Sequence, residues 1–310
     1  MKKYNAFKLC AVGITGVLLA PGIAKASLAD LEALQAANPN LVVQYGFEGS
    51  DDSTRLADGS ANGFTLQRVA GTDGGDVNNI QFVTGYDGVS QAYQPSFDTS
   101  NYRIGAGLNS ISTTVPLGSA VTVEAVVNLD TFVLPTGGSG AYIIDGRPPV
   151  SNGRAYFYRQ LDSPGVRLTT TLGDTFGDAP EVPGYDYTAG EWYYVALTAS
   201  YDLGGNQTTV NWYGANLTQG DAVMSLLATD NTTFQGDWTG DTQIGVGAFL
   251  NGSQEYLQGR IDNVALTGAI LGQGALQQRL NALYVAVPEP STFALAALGG
   301  LAFFARRLRR

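Results

Sequence analysis

The chain has 310 residues and no histidine, and its 17 basic and 27 acidic side chains give a formal charge of −10. All four lysines and the one cysteine lie in residues 1–26, and four arginines lie in residues 306–310. Residues 27–305 therefore keep 17 − 8 = 9 arginines against 27 acidic residues, a charge of −18. This central region excludes a Ser-His-Asp triad, a histidine-bound zinc, a thiolate nucleophile and a lysine Schiff base. Its charge also disfavours nucleic acid as a partner.

The first 26 residues have the pattern of a secretory signal peptide. Lysines precede the apolar run 9–20, and the small residues Ala24 and Ala26 follow it. A positive start, a short apolar run and an A-x-A ending are the parts of such a peptide. The run is also short for a membrane span. We expect cleavage after Ala26; the alternative is a retained membrane anchor.

Residues 27–40 predict a short helix and a linker. Ser27 and Asp30 have the spacing of a helix cap. The sequence Asn38-Pro39-Asn40 ends the helix. Three leucines recur at a spacing that puts them on one helix face: Leu28, Leu31 and Leu34.

Residues 41–285 predict one β domain closed by a second helix. Apolar and polar residues alternate over 121–129, and aromatic and β-branched residues fill 193–200 and 208–213, which is typical of strands. The closing helix has Leu276, Leu280 and Leu283 on one side. Pairs of Asp or Asn with glycine predict turns, because glycine accepts positive φ. They begin at Asp58, Asn62, Asp73, Asp87, Asp145, Asn152 and Asn251.

The order of these segments resembles the concanavalin A-like, LamG-like jelly roll. Residues 44–48 and the polar loop 58–63 resemble the first strand and loop of that family. Residues 190–196 resemble its G-x-W-x-x-V-A strand, and residues 259–266 its closing G-x-I-D-x-V strand. The resemblance implies an all-β jelly-roll sandwich with short flanking helices. That fold also hosts glycosidases and lyases.

Two loops contain candidate ligand-binding residues. Asp58 and Asn62 lie in the loop where some family members bind calcium, and hard oxygen ligands suit that ion. The same residues also suit a turn, because Asx side chains bond their own backbone. Asp237, Trp238 and Asp241 combine carboxylates with an aromatic ring, the mixture that a carbohydrate site needs; the alternative is a solvated loop.

Two other residues of the domain have simpler expected roles. Trp192 lies among apolar neighbours, so we expect it in the core. We expect Asp262 to fix the end of its strand through backbone hydrogen bonds. Glu124 is the one acidic residue of the predicted inner strand, and a retaining glycosidase needs two carboxylates about 5 Å apart.

Residues 286–310 have three recognisable parts. Pro288-Glu289-Pro290 comes first, then the apolar run 292–305, and then an arginine cluster made up of Arg306, Arg307, Arg309 and Arg310. A run of this length followed by basic residues predicts a marginal membrane helix with a cytoplasmic end. The whole pattern resembles the PEP-CTERM sorting signal. It implies export across the inner membrane of a Gram-negative bacterium with transient anchoring there, cleavage by an exosortase, and a final place at the surface or in the extracellular matrix.

These observations leave three functions open. The first is a non-catalytic surface or matrix protein that binds carbohydrate or neighbouring proteins; the second is a polysaccharide-cleaving enzyme; the third is a purely structural matrix component. The missing reactive side chains favour the first. The expected partners are the exosortase and the secretion machinery, with exopolysaccharide or surface proteins as further candidates. No cofactor is expected other than calcium.

Overall fold

The fold is seen in a computed structural model, which describes residues 27–110, 114–116, 118–131, 136, 141–147, 158–160, 168–169, 187–202, 207–232, 239–241, 243–248 and 255–284. All of them belong to one compact unit, Lys25–Val285. The predicted signal peptide, the sorting signal and its hydrophobic helix lie outside the described residues.

Short strands make up most of this unit. In chain order they are β1 (Leu41–Tyr45), β2 (Leu66–Ala70), β3 (Gln81–Thr84), β4 (Gln91–Gln94), β5 (Ser96–Asp98), β6 (Asn101–Ser110), β7 (Thr114–Pro116), β8 (Ala120–Leu129), β9 (Ala141–Arg147), β10 (Tyr158–Gln160), β11 (Leu168–Thr169), β12 (Trp192–Asp202), β13 (Gln207–Asn216), β14 (Ser225–Thr232), β15 (Thr239–Asp241), β16 (Gln243–Val246) and β17 (Gly259–Thr267). The helices are α1 (Leu28–Ala36), α2 (Asp52–Arg55), α3 (Gln273–Ala282) and the 3-10 turn Val77–Asn79.

The strands form two main antiparallel sheets. Sheet A has the order β14-β13-β12-β8-β17-β4-β3, and β1 also pairs with β17. Sheet B has the order β11-β10-β9-β16-β6-β2, and β5 also pairs with β6. A small third sheet joins β15 to β7. The two main sheets pack face to face, which confirms the predicted all-β jelly-roll sandwich.

The core between the sheets follows from the alternation in the sequence. Successive side chains of a strand point to opposite faces. In β8, Val121, Val123, Ala125, Val127 and Leu129 all face this core. Sheet B contributes apolar side chains from β2, β6, β9 and β16 to the same cluster. The period of two therefore correctly predicted the strand, and the other face of β8 is also buried.

The opposite face of sheet A is covered by α1 and α3. Leu276, Leu280 and Leu283 are fully buried there, as predicted. The prediction for α1 is right for two leucines and wrong for the third: Leu28 and Leu31 are buried, whereas Leu34 is 40% exposed. Gln35 occupies the buried position instead, because its amide has polar partners below the helix: it donates to Asn263 Oδ1 (2.9 Å) and accepts from Gln44 Nε2 (3.0 Å).

The predicted turns are confirmed where the glycine adopts positive φ, as Gly63 (74°) and Gly88 (82°) do. The turn predicted at Asp145 is wrong. Asp145 lies inside β9 and pairs with Gly245 in the middle of sheet B, so its backbone belongs to a strand ladder. The pairs at Asn152 and Asn251 lie outside the described residues.

Candidate functional site

An open groove lies where the chain passes from sheet A to sheet B. Its volume is about 270 Å³. We call it the amide groove. Its lining residues are Asn79, Gln81, Gln94, Pro95, Ser96 and Phe97.

The β3–β4 hairpin supplies two of its amides. Gln81 and Gln94 are directly opposite each other in the antiparallel ladder. Opposed residues point to the same face with Cβ atoms about 5 Å apart. Two carboxamides therefore stand side by side, and Asn79 at the end of the 3-10 turn adds a third.

The opposite wall is the link between the two sheets. Pro95 joins β4 of sheet A to β5 of sheet B, and Ser96 and Phe97 follow it. Gly247 lies behind this link with φ of 69°. A Cβ added there would come within 2.6 Å of the Tyr93 ring and 2.7 Å of Pro95. The close backbone approach of Gly247 therefore lets the wall sit where it does.

The lining is polar but uncharged. Each carboxamide offers two donors and an acceptor, and the Ser96 hydroxyl offers both functions. The half-buried Phe97 adds an aromatic ring. None of the six lining residues is ionisable. This combination suits a neutral ligand rich in hydroxyl groups, which needs hydrogen bonds together with an apolar face.

Sequence reasoning missed the amide groove. Gln81 and Gln94 are thirteen positions apart and match no binding motif. One clue was present: the Asp87-Gly88 turn lies midway between them and predicts a hairpin. The clue does not give the register, which decides whether the two glutamines face each other.

The calcium candidates Asp58 and Asn62 both lie in the loop between α2 and β2, where both Asp58 carboxylate oxygens and the Asn62 Nδ2 form hydrogen bonds. Asp58 Oδ1 accepts from the backbone N–H groups of Gln44 (3.0 Å) and Ser60 (2.9 Å). Its Oδ2 accepts from the Ser60 hydroxyl (2.6 Å) and the Phe64 N–H (2.9 Å). Asn62 Nδ2 donates to the Val42 carbonyl (2.9 Å). This hydrogen-bonding pattern suits a turn and does not fit a calcium site. Calcium binding therefore stays a prediction without support from the geometry.

The second sequence-predicted site lies largely beyond the described residues. Asp237 and Trp238 are not among them, and Asp241 ends β15, which pairs with β7. Carbohydrate binding by these three residues stays a prediction.

The expected role of Trp192 is confirmed. Its side chain is 8% exposed and packs in the helix-covered cluster. The Tyr86 ring meets it edge to face at 6.2 Å, and the Arg260 guanidinium lies 5.6 Å from its centroid.

The backbone hydrogen bond expected of Asp262 is confirmed, but its expected place at the end of the strand is wrong, because Asp262 lies inside β17. The residue sits at a bulge of β17, where the register with β8 shifts between Ile261 and Asn263. A bulge re-aims the side chain it carries. Asp262 Oδ2 accepts from the Tyr86 N–H and from the Ser90 hydroxyl (2.9 Å). The carboxylate therefore fixes the 86–90 turn to the strand.

Glu124 lies on the helix-covered face of sheet A, away from the core between the sheets. It is fully buried, accepts a hydrogen bond from the Tyr194 hydroxyl and pairs with Arg279 of α3. Burial lowers the pKa of Arg279 to about 10. This carboxylate therefore holds α3 on the sheet.

Carboxyl groups also gather beneath α1. Burial raises the pKa of Glu32 and of Asp262 to about 7 each, and Glu48 adds to both shifts by repulsion. Asp87 raises both further. In the described ranges no group of three or more acidic side chains is arranged to hold a metal ion. We interpret these carboxyl groups as determinants of the stability of the fold.

A comparison with protein families identifies the end of the chain. Residues 286–310 match the PEP-CTERM protein-sorting motif. This chain carries an exosortase sorting signal. The protein is therefore exported and processed by an exosortase in a Gram-negative bacterium, with a surface or extracellular location. Within the described part of the chain, no helix is both long and apolar enough for a membrane span.

Solved structures similar to the chain come from several kinds of protein. They include peanut lectin with a 9mer peptide (10% identity, TM-score 0.38, 72% of this chain and 95% of that chain) and an endo-1,3-beta-glucanase from Streptomyces sioyaensis (13%, 0.41, 75% and 98%). A Trypanosoma rangeli sialidase in complex with sialic acid is also similar (13%, 0.45, 82% and 37%). At such identities the likeness concerns the fold alone. No curated protein matches the chain.

Proposed function

We propose that this exported protein binds neutral carbohydrate of the cell surface or extracellular matrix through its amide groove and does not cleave it. The observation that carries the proposal is the lining of the groove: carboxamides, a hydroxyl and the Phe97 ring, with no ionisable side chain. Hydroxyl groups of a sugar both donate and accept, and carboxamides meet both needs. An aromatic ring packs against the apolar face of a sugar.

The charge of the protein supports a neutral ligand. Residues 27–305 carry −18, so an acidic polysaccharide is repelled. A cationic polysaccharide would be attracted to the whole surface, and salt would screen that attraction. Binding of a neutral glycan in an uncharged groove depends little on salt.

The second candidate function, glycan cleavage, needs carboxylates at the bond to be cleaved. None lines the amide groove, and Glu124 is buried against Arg279 under α3. A third candidate, a purely structural matrix role, needs no site at all.

A glycan-binding screen tests the proposal. The processed protein is exposed to neutral, acidic and cationic oligosaccharides at low and high salt, and the reducing ends released are measured in parallel. We expect binding to neutral glycans at both salt levels and no new reducing ends. The variant Gln81→Ala/Gln94→Ala should weaken binding about tenfold or more through lost hydrogen bonds.

Gln67→Ala is the matched control, because Gln67 is an exposed glutamine on β2 outside the groove lining. Equal loss in the control and the groove variant would refute the groove as the site. Release of reducing ends would show that the protein cleaves glycans. The absence of both binding and released reducing ends would favour the structural role.

A further inference from the structure

One arginine connects three segments next to the amide groove. Arg68 of β2 donates from Nε to Asp52 Oδ2 (2.7 Å) and from Nη2 to Asp52 Oδ1 (2.8 Å). Its remaining nitrogen, Nη1, donates to the carbonyls of Val77 (2.9 Å) and Ile80 (3.4 Å). Arg68 thus links α2 to the 77–80 segment that carries Asn79 and leads into Gln81.

An aromatic ring also lies against this guanidinium. Arg68 lies 5.6 Å from the centroid of Phe82, and Arg55 lies 5.0 Å from the same ring. Phe82 is the residue after Gln81 and packs on the sandwich core. A planar guanidinium can satisfy a bidentate carboxylate, a backbone carbonyl and a ring together, whereas an ammonium group cannot.

Few backbone hydrogen bonds hold the 77–80 segment in place. It is one 3-10 turn whose internal bonds run from the Asn79 N–H to the Asp76 carbonyl (2.9 Å) and from the Ile80 N–H to the Val77 carbonyl (3.4 Å). Asp76 caps it through the Asn78 N–H (2.9 Å). Short 3-10 turns have poor hydrogen-bond geometry. Ile80 is buried in the core between the sheets and Val77 packs against it, and Arg68 adds side-chain hydrogen bonds to the carbonyls of the same two residues.

We propose that Arg68 is a positioning residue for the amide groove: through the Val77 and Ile80 carbonyls it holds the wall carrying Asn79 and Gln81 at the spacing that a neutral glycan needs. This inference rests on the proposed function. Arg68 does not line the groove, so its effect on the ligand passes through the wall. Asp52 keeps the guanidinium in place, and the arginine in turn lowers the pKa of that carboxyl.

The test combines a ligand-free measurement with a binding measurement. Hydrogen–deuterium exchange of residues 77–84 is followed in the processed protein and in Arg68→Gln, Arg68→Lys and Asp52→Asn. Binding of cellohexaose and xylohexaose is measured on the same samples. Arg103→Gln is the matched control, because Arg103 is exposed, stacks on Tyr102 and bonds its hydroxyl, and lies outside the groove lining.

We expect Arg68→Gln to raise exchange in residues 77–84 and to weaken binding, each about tenfold or more, since a hydrogen bond to a charged group is lost. Arg68→Lys should recover part of both effects, Asp52→Asn should give smaller changes, and Arg103→Gln should give none. Unchanged exchange in Arg68→Gln would overturn the proposal. So would raised exchange with unchanged binding. If the unsubstituted protein binds no glycan in the screen above, the proposed function fails, and exchange alone still decides whether Arg68 holds the wall.

Discussion

Two regions of the molecule use polar residues in opposite ways. On the helix-covered face, charged groups are buried and serve the fold: Glu124 pairs with Arg279, and Asp262 ties down the 86–90 turn. In the amide groove, polar side chains are exposed or half-buried, and none of them is charged.

We infer from this difference that the buried charges determine stability and that the exposed carboxamides serve recognition. A buried charge is costly unless it is paired or neutralised, so the charges beneath the helices are sensitive to mutation and to pH. Carboxamides that face solvent cost little free energy of folding, and they are available to form hydrogen bonds with a ligand. The predictions below test this separation.

The largest expected effect comes from breaking the buried ion pair. Arg279→Met leaves the Glu124 carboxylate buried without its cation, which typically costs about 3–5 kcal/mol. The free energy of unfolding, measured by denaturant titration, should fall by that amount, with glycan binding retained in the folded fraction.

The matched control is the double variant Glu124→Gln/Arg279→Met. It removes both charges, so it should recover a large part of the lost stability. If the double variant is as unstable as Arg279→Met alone, the packing of the arginine stem, and not the unpaired charge, explains the loss.

The next effect is a pH dependence of stability. Burial raises the folded-state pKa of Asp262 from 3.8, and that of Glu32 from 4.5, to about 7 each. Between these limits the folded protein binds more protons than the unfolded chain, so the free energy of unfolding falls as pH rises towards 7. With about 1.4 kcal/mol per pKa unit and about 2–4 °C per kcal/mol, we expect each of the two groups to lower Tm on the order of 5–10 °C between pH 5 and pH 7.

Asp262→Asn isolates one of the two groups. The amide remains neutral at every pH and can still accept from the Tyr86 N–H. Its Tm should therefore exceed that of the unsubstituted protein at pH 8 and vary less with pH. An unchanged pH profile in this variant would show that the Asp262 carboxyl titrates normally.

A smaller effect is expected at the 58–64 loop. Asp58→Ala leaves the N–H groups of Gln44 and Phe64 without their acceptor, which costs about 1–3 kcal/mol. A chelator should leave Tm unchanged, because the Asp58 oxygens already accept four hydrogen bonds. A drop in Tm on chelation, reversed by calcium, would restore the calcium prediction.

The sandwich was predictable from the sequence because the local spacing of apolar residues indicates which side chains are buried. The alternation in β8 and the leucine spacing in α3 needed no knowledge of distant residues. Leu34 was misplaced because the face that α1 buries depends on Asn263, 228 positions from its partner Gln35. The turn prediction at Asp145 was wrong because strand pairing in the middle of sheet B outweighs the turn preference of an Asp-Gly pair.

The candidate site was less predictable for the same reason. The amide groove joins the end of a 3-10 turn, a hairpin and a link between sheets. The Gln81–Gln94 pairing goes with the neighbouring Phe82–Tyr93 pair, whose rings pack in the core between the sheets. Sequence patterns instead pointed to acidic loops, because carboxylates are the familiar sign of a site. Asp58 shows how a carboxylate in such a loop serves the backbone.

The most direct test of the central claim is a calorimetric titration of the processed protein and its Gln81→Ala/Gln94→Ala variant with a neutral oligosaccharide that binds in the screen, at low and high salt. We predict saturable binding that is nearly independent of salt, weakened about tenfold or more in the variant, with the oligosaccharide recovered intact. Equal affinity in the two proteins, or a cleaved oligosaccharide, would contradict the account.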